Sequence, residues 1–226
     1  MDVTADRGAF LESLLSADEH ERADRYRVRA PRERFIVTRG TLREVLGRNS
    51  GLPPEQLRFS YPCVCGRPDC VPSRRKPRLE LDPGLPPLRF NVAHTEGLAM
   101  FAVSIGRELG IDVERIRPAA IGPVAERVFG AQEAAALRAL PDGQQVEAFY
   151  RGWTRKEAYA KARGTGFALP PRGVDVPGDS GEAGRWWFSE LPAPVGYLAA
   201  LAVEGSDCVV QTGWWPPAEC ERAAVP

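Results

Sequence analysis

Phe149-Tyr150-Arg151-Gly152-Trp153-Thr154-Arg155-Lys156-Glu157-Ala158-Tyr159-Ala160-Lys161-Ala162-Arg163-Gly164 is the stretch on which the reading of this chain turns. No proline interrupts it, and good helix formers fill its second half. Gly164 and Gly166 supply a C-terminal stop, so the stretch predicts a helix. On that helix Trp153, Glu157 and Lys161 fall at i, i+4 and i+8 and line one face. One reading is a surface helix carrying a single Glu–Lys pair. The other is a site toward which an aromatic anchor, a carboxylate and an ammonium all point. That second reading requires further carboxylates from elsewhere in the chain.

Leu109-Gly110-Ile111-Asp112-Val113-Glu114 supplies them. Read as a strand with period two, Ile111 and Val113 face one side and Asp112 and Glu114 the other. Alternate residues stand about 6.5–7 Å apart, close enough for both carboxylates to reach one cation. Two carboxylates so placed repel unless a cation or proton compensates. An ordinary amphipathic strand with a wet acidic face gives the same pattern.

Thirty Lys plus Arg balance thirty Asp plus Glu, so no global basic field invites nucleic acid. A hydrophobic content of 43% reads as soluble and globular. No apolar run approaches the roughly 20 residues of a membrane span, and Met1–Asp6 is too polar for a signal peptide. The 226 residues fit one large domain or two small ones. Five cysteines is an odd number, and Cys63, Cys65 and Cys70 crowd together. Reduced thiols in a cytoplasm explain this better than a disulfide framework. Their spacing offers no fourth ligand for zinc, so a loop held by small, partly buried thiols is preferred.

Residues 7–29 predict a helix with Phe10, Leu14 and Leu15 apolar and an arginine-rich second part. Residues 32–47 predict another, with Phe35, Leu42, Val45 and Leu46 inward and Arg34, Arg39 and Arg43 polar. Residues 48–89 are turn-rich, with a short strand near 57–61 and the basic knot Arg74-Arg75-Lys76-Pro77-Arg78. Strands follow at 88–93 and 98–104, with His94-Thr95-Glu96-Gly97 as the turn between them. Residues 121–140 are helical, broken near Gly130, and Pro141-Asp142-Gly143 reads as a turn. Strand patterns return at 173–176, 185–191, 196–203 and 208–215. Helices followed by strands occur twice, before and after about residue 107. This predicts an α+β chain of two similar lobes, residues 1–107 and 108–226, with an internal pseudo-repeat and a site between them.

Three blocks together resemble the 4'-phosphopantetheinyl transferase superfamily, in particular its surfactin-synthetase-activating (Sfp-like) branch. They are Phe90-Asn91-Val92-Ala93-His94-Thr95, Gly110-Ile111-Asp112-Val113-Glu114, and Trp153–Lys161 followed by Gly164-Thr165-Gly166. Arg75-Lys76-Pro77 precedes the first. Each block alone is weak; the ordered set is specific, and the likeness spans residues 10–205. It implies two α/β lobes related by a pseudo-two-fold axis in one monomeric polypeptide. It also implies an enzyme that transfers the phosphopantetheine arm of coenzyme A to a serine of an apo acyl or peptidyl carrier protein, releasing adenosine 3',5'-bisphosphate.

Carried over by motif, the resemblance makes Asp112, Glu114 and Glu157 the ligands of Mg²⁺. Lys161 would sit by the phosphates or help activate the serine. His94 and Lys76 would contact coenzyme A phosphates, and Arg22 and Arg34 would lie near the nucleotide 3'-phosphate. The physics agrees, since phosphoryl transfer asks chiefly for positioning and charge neutralisation, and Mg²⁺ takes hard oxygen ligands. The general base is Glu157, directly or through water, or Lys161. Two departures stand out: Ala93 replaces the serine that often precedes the family's histidine, and Met1–Asp6 offers little of the usual opening strand. A non-catalytic module binding coenzyme A or a carrier is the alternative, and retention of all three carboxylates and Lys161 argues against it. The length leans toward polyketide or non-ribosomal peptide clients in secondary metabolism.

Overall fold

The computed structural model describes residues 3–62, 76–118, 121–164, 180–181 and 185–215. Helices α1 (Val3–Ser13), α2 (Ala17–Asp24) and α3 (Arg29–Ser50) open the chain. The expected helix over 7–29 is thus two helices. Ser16 stays extended between them, and its N–H donates to Glu19 Oε2 at 3.0 Å, which starts α2 afresh. Helix α3 outruns its expected bounds and ends where Gly51 turns to φ +73°. Leu42, Val45 and Leu46 are buried as expected, but so is Arg43, at 1% exposure. Its guanidinium donates to Glu19 Oε2 and to the carbonyls of Pro54 and Leu57, so each buried N–H used there finds an acceptor.

A short antiparallel pair, β1 (Phe59–Ser60) and β2 (Arg78–Leu79), precedes the hairpin of β3 (Leu88–Thr95) and β4 (Leu98–Ile105). The turn tightens to Glu96-Gly97, so His94 and Thr95 belong to the strand. The second half contributes β5 (Leu109–Arg115), α4 (Gly122–Val128), α5 (Ala131–Ala139), α6 (Asp142–Arg163), β6 (Ser180–Gly181), β7 (Trp186–Leu191) and β8 (Tyr197–Glu204). The sheet order is β5-β8-β7-β6, antiparallel throughout. The chain is therefore a mixed helix and sheet protein, as its pattern predicts.

Strand β5 divides as its alternation requires. Leu109, Ile111 and Val113 enter one apolar core with Leu201, Val203 and Ala93 of β3. On the other face α6 lays Ala158, Tyr159 and Ala162 on Trp186, Phe188, Ala200 and Ala202. Leu42, Leu46, Leu88 and Phe90 form a separate core between α3 and the hairpin. The segment 208–215, expected as a strand, forms none: both edges of β8 are already paired with β5 and β7. Cys208 and Val210 pack on the β5 core instead, and Trp215 Nε1 donates to Glu44 Oε2 of α3 at 2.7 Å. The expected strand at 173–176 and Cys63, Cys65 and Cys70 lie outside the described residues. Among those described, no helix is long and apolar enough to cross a membrane.

Candidate active site

Helix α6 begins directly after Pro141, whose φ of −53° suits a helix entry, so the expected turn at 141–143 is absorbed into its first turn. It ends at Gly164, φ +69°, whose N–H returns to the Ala160 and Lys161 carbonyls. Between these ends it crosses β5 at very close range. A Cβ on Gly110 would lie 2.0 Å from the Ala158 carbonyl oxygen and 2.3 Å from the Ala162 nitrogen. Only glycine lets the two backbones touch there. This contact brings Asp112 and Glu114, on the helix-facing side of β5, against the face of α6 that carries Trp153, Glu157 and Lys161.

Lys161 Nζ donates to Asp112 Oδ1 at 2.7 Å, and Trp153 Nε1 donates to Glu114 Oε1 at 3.2 Å. Asp112 is 5% exposed and Glu157 9%. Asp112 Oδ2 is buried with no hydrogen-bond partner. Burial pushes all three carboxyls above their ordinary values. Glu157 moves furthest, to about 7, because burial and the neighbouring Asp112 and Glu114 charges outweigh the help of Lys161.

Three carboxylates against one ammonium leave the cluster short of positive charge. Hard oxygen donors, mutual repulsion and an orphaned buried oxygen are the properties of a site that suits a divalent cation such as Mg²⁺. As the side chains stand, no three His, Cys, Asp or Glu among the described residues are arranged to hold a metal ion. The donor chemistry fits, while closure around an ion asks the carboxylates to draw together.

The remaining expected contacts are spread more widely. His94 is exposed near the end of β3. Arg22 lies over the Phe35 ring at 5.0 Å, and Arg34 is exposed on α3. The Lys76 side chain is buried, and its Nζ donates to Glu108 Oε2, Leu109 O and Ala162 O at 2.8, 2.7 and 3.0 Å. As placed it has no N–H left for a phosphate. Lys76 also lines a cavity of about 140 Å³ with Arg78, Glu108, Gly164 and Trp186, at the C-terminal end of α6. Asp112, Glu114 and Glu157 do not line that cavity. Two contributors escaped the sequence reading. Asn91 Oδ1 accepts the Ile111 N–H at 3.0 Å, and Lys156 is buried against Glu133 at 2.9 Å, tying α5 to α6. A polar residue inside the apolar Phe90–Ala93 run was the signal for Asn91; nothing local marks Lys156.

Residues 108–193 match the family model described as the 4'-phosphopantetheinyl transferase superfamily, a span that holds β5 and α6. The chain is 37% identical over 213 residues to the 4'-phosphopantetheinyl transferase HetI of Nostoc sp. strain PCC 7120, covering 91% of this chain and 83% of that protein. It is 28% identical over 160 residues to the 4'-phosphopantetheinyl transferase ffp of Bacillus subtilis, covering 71% and 65% respectively. A crystal structure of a holo-(acyl-carrier-protein) synthase from Bacillus anthracis strain Ames, in complex with CoA (3',5'-ADP), is similar over 44% of this chain and 96% of that one. Its TM-score is 0.38 and its identity 20%.

Proposed function

This chain belongs to the 4'-phosphopantetheinyl transferase superfamily, and from that premise we propose that it moves the phosphopantetheine arm of coenzyme A onto a serine hydroxyl of an apo acyl or peptidyl carrier protein. The observation that carries the reading is the cluster of Asp112, Glu114, Glu157 and Lys161 across the β5–α6 contact. Asp112, Glu114 and Glu157 are assigned as the ligands of a Mg²⁺ ion. When bound, that ion supplies charge neutralisation for a diphosphate and for the bisphosphate that leaves.

The residues of the chain do the rest. Lys161, on the helix face beside Asp112, is a charged donor for a phosphate oxygen. Glu157, directly or through a water, and Lys161 are the two bases of the right type for the serine proton. His94 at its strand end is assigned to a phosphate of coenzyme A, and the exposed Arg22 and Arg34 to its nucleotide end. We read residues 1–107 and 108–226 as two lobes of one monomeric, cytoplasmic enzyme, with the site at their seam. Carrier proteins of polyketide or non-ribosomal peptide synthesis are the proposed clients.

The test is intact-mass spectrometry of apo carrier proteins incubated with the purified chain, coenzyme A and Mg²⁺. Addition of one phosphopantetheine to a carrier supports the reading. Coenzyme A binding without transfer to acyl or peptidyl carriers refutes it in favour of a binding module.

A further inference from the structure

Lys76 reaches the seam from the stretch just before β2, and its three donors meet three acceptors on other elements. Two of these are backbone carbonyls of the elements that carry the site. Leu109 lies three residues before Asp112 on β5, and Ala162 lies one residue after Lys161 on α6. The Ala162 carbonyl belongs to the last turn of α6, where helices leave carbonyls open and where positive charge meets the negative end of the helix dipole. The third acceptor, Glu108, also receives Arg78 and Arg89. The Lys76 side chain is 8% exposed, an expensive place for an ammonium unless every donor is used.

The same edge of β5, the one turned away from β8, is held a second time two residues on. Asn91 Oδ1 accepts the N–H of Ile111, the residue immediately before Asp112. Between Leu109 and Ile111, Gly110 presses backbone to backbone on α6. We propose that Lys76, backed by Asn91, is a positioning residue for the transfer reaction: it fastens β5 to the last turn of α6 and thereby sets the spacing of Asp112 from Lys161. It does this from behind the site and touches neither the cation nor the phosphates. The inference rests on the carboxylate cluster being the transfer site. An ammonium suits the task because its three donors can diverge to separate acceptors, whereas a guanidinium is a planar fork. Burial draws the Lys76 ammonium below its ordinary value, while Lys76 and Arg78 hold Glu108 below its own against the cost of burial. The strain of burial therefore falls on the ammonium, and the cations around Glu108 keep the group together.

Lys76→Met keeps the stem and removes all three donors; Asn91→Ala removes the second hold. Both are made in the full chain and compared with wild type in three measurements: amide hydrogen exchange across 109–113, kcat for carrier modification, and Kd for coenzyme A. A site loosened by about 1 Å loses on the order of 10²-fold in rate. Lys76→Met is therefore expected to lower kcat by about 10- to 100-fold and to raise exchange at 109–113 by about tenfold, with Kd within about threefold of wild type. Unchanged exchange and kcat overturn the proposal. So does a Kd weakened by about tenfold with kcat retained, which is the signature of a phosphate contact. If Lys76→Met does not fold, Asn91→Ala decides: the same pattern at smaller amplitude supports the hold, and wild-type exchange and kcat overturn it. If wild type modifies no carrier, the functional reading fails, and exchange at 109–113 still decides whether Lys76 fastens the strand.

Discussion

Lys161 Nζ donates to one oxygen of Asp112 at 2.7 Å, and the other oxygen of that carboxylate is buried with nothing to bind. One ammonium therefore serves a cluster that also holds Glu114 and Glu157. A divalent ion bound there stabilises the fold by mass action, by about 3 kcal/mol at a hundredfold excess over Kd. For a chain of this size that is a rise in Tm of about 5 °C or more. Thermal melts of chelator-treated protein are expected to show this rise on adding Mg²⁺. The rise should vanish in Asp112→Asn.

The pH dependence has a defined sign. Burial, then Asp112, raises Glu157 from 4.5 to about 7 in the fold. Below about pH 4.5 the carboxyl is protonated whether the chain is folded or not, and its contribution to stability is fully present. That contribution is lost as pH rises through about 7, because the folded state resists ionisation. The loss is at most about 3 kcal/mol, and less once solvent screens the charges. Glu157→Gln imitates the protonated form. In metal-free urea denaturation it should match wild type near pH 4.5 and exceed it at pH 8. Equal stability of the two proteins at both pH values would contradict the assigned environment.

Gly110 is where β5 and α6 touch, and a methyl group there would meet backbone atoms at 2.0 and 2.3 Å. Gly110→Ala should destabilise by about 3 kcal/mol or more in urea denaturation. Gly8 in α1 has nothing within 4 Å of an added Cβ, so Gly8→Ala should gain up to about 1 kcal/mol from helix propensity. The contrast separates overpacking from a general intolerance of alanine.

The sequence carried the periodic parts of this picture. The i, i+4, i+8 spacing put Trp153, Glu157 and Lys161 on one face, and period-two alternation put Asp112 and Glu114 opposite the buried Ile111 and Val113. What periodicity could not express is pairing over long separations. Arg43 falls on a polar-looking helix position, yet Glu19 and two loop carbonyls draw it fully inside. Lys76 sits in a basic knot that suggests a phosphate, yet its acceptors come from residues 108, 109 and 162. Cys208–Trp215 alternates as a strand would, but its Cys208 and Val210 pack side chains on the β5 core without joining a sheet.

Arg43 and Glu19 give a further prediction. The pair is buried, with Arg39 as a second partner of Glu19, and despite burial these cations hold the Glu19 carboxyl below its ordinary value. Arg43→Met should cost about 3–5 kcal/mol, since it strips a buried carboxylate of its closest partner. The Glu19 contribution is present above its unfolded value of 4.5 and is lost as pH falls below it. Urea denaturation at pH 7 and pH 4 should therefore show a smaller difference between Arg43→Met and wild type at the lower pH.

The most direct test is the rate at which an apo carrier protein gains phosphopantetheine from coenzyme A, measured by intact mass against Mg²⁺ concentration for wild type, Asp112→Asn and Glu157→Gln. Wild type should show a saturable requirement for the ion, and each variant should fall by at least about 10²-fold while keeping a cooperative melt. Transfer that survives chelation, or that proceeds at the wild-type rate in either variant, would contradict the account.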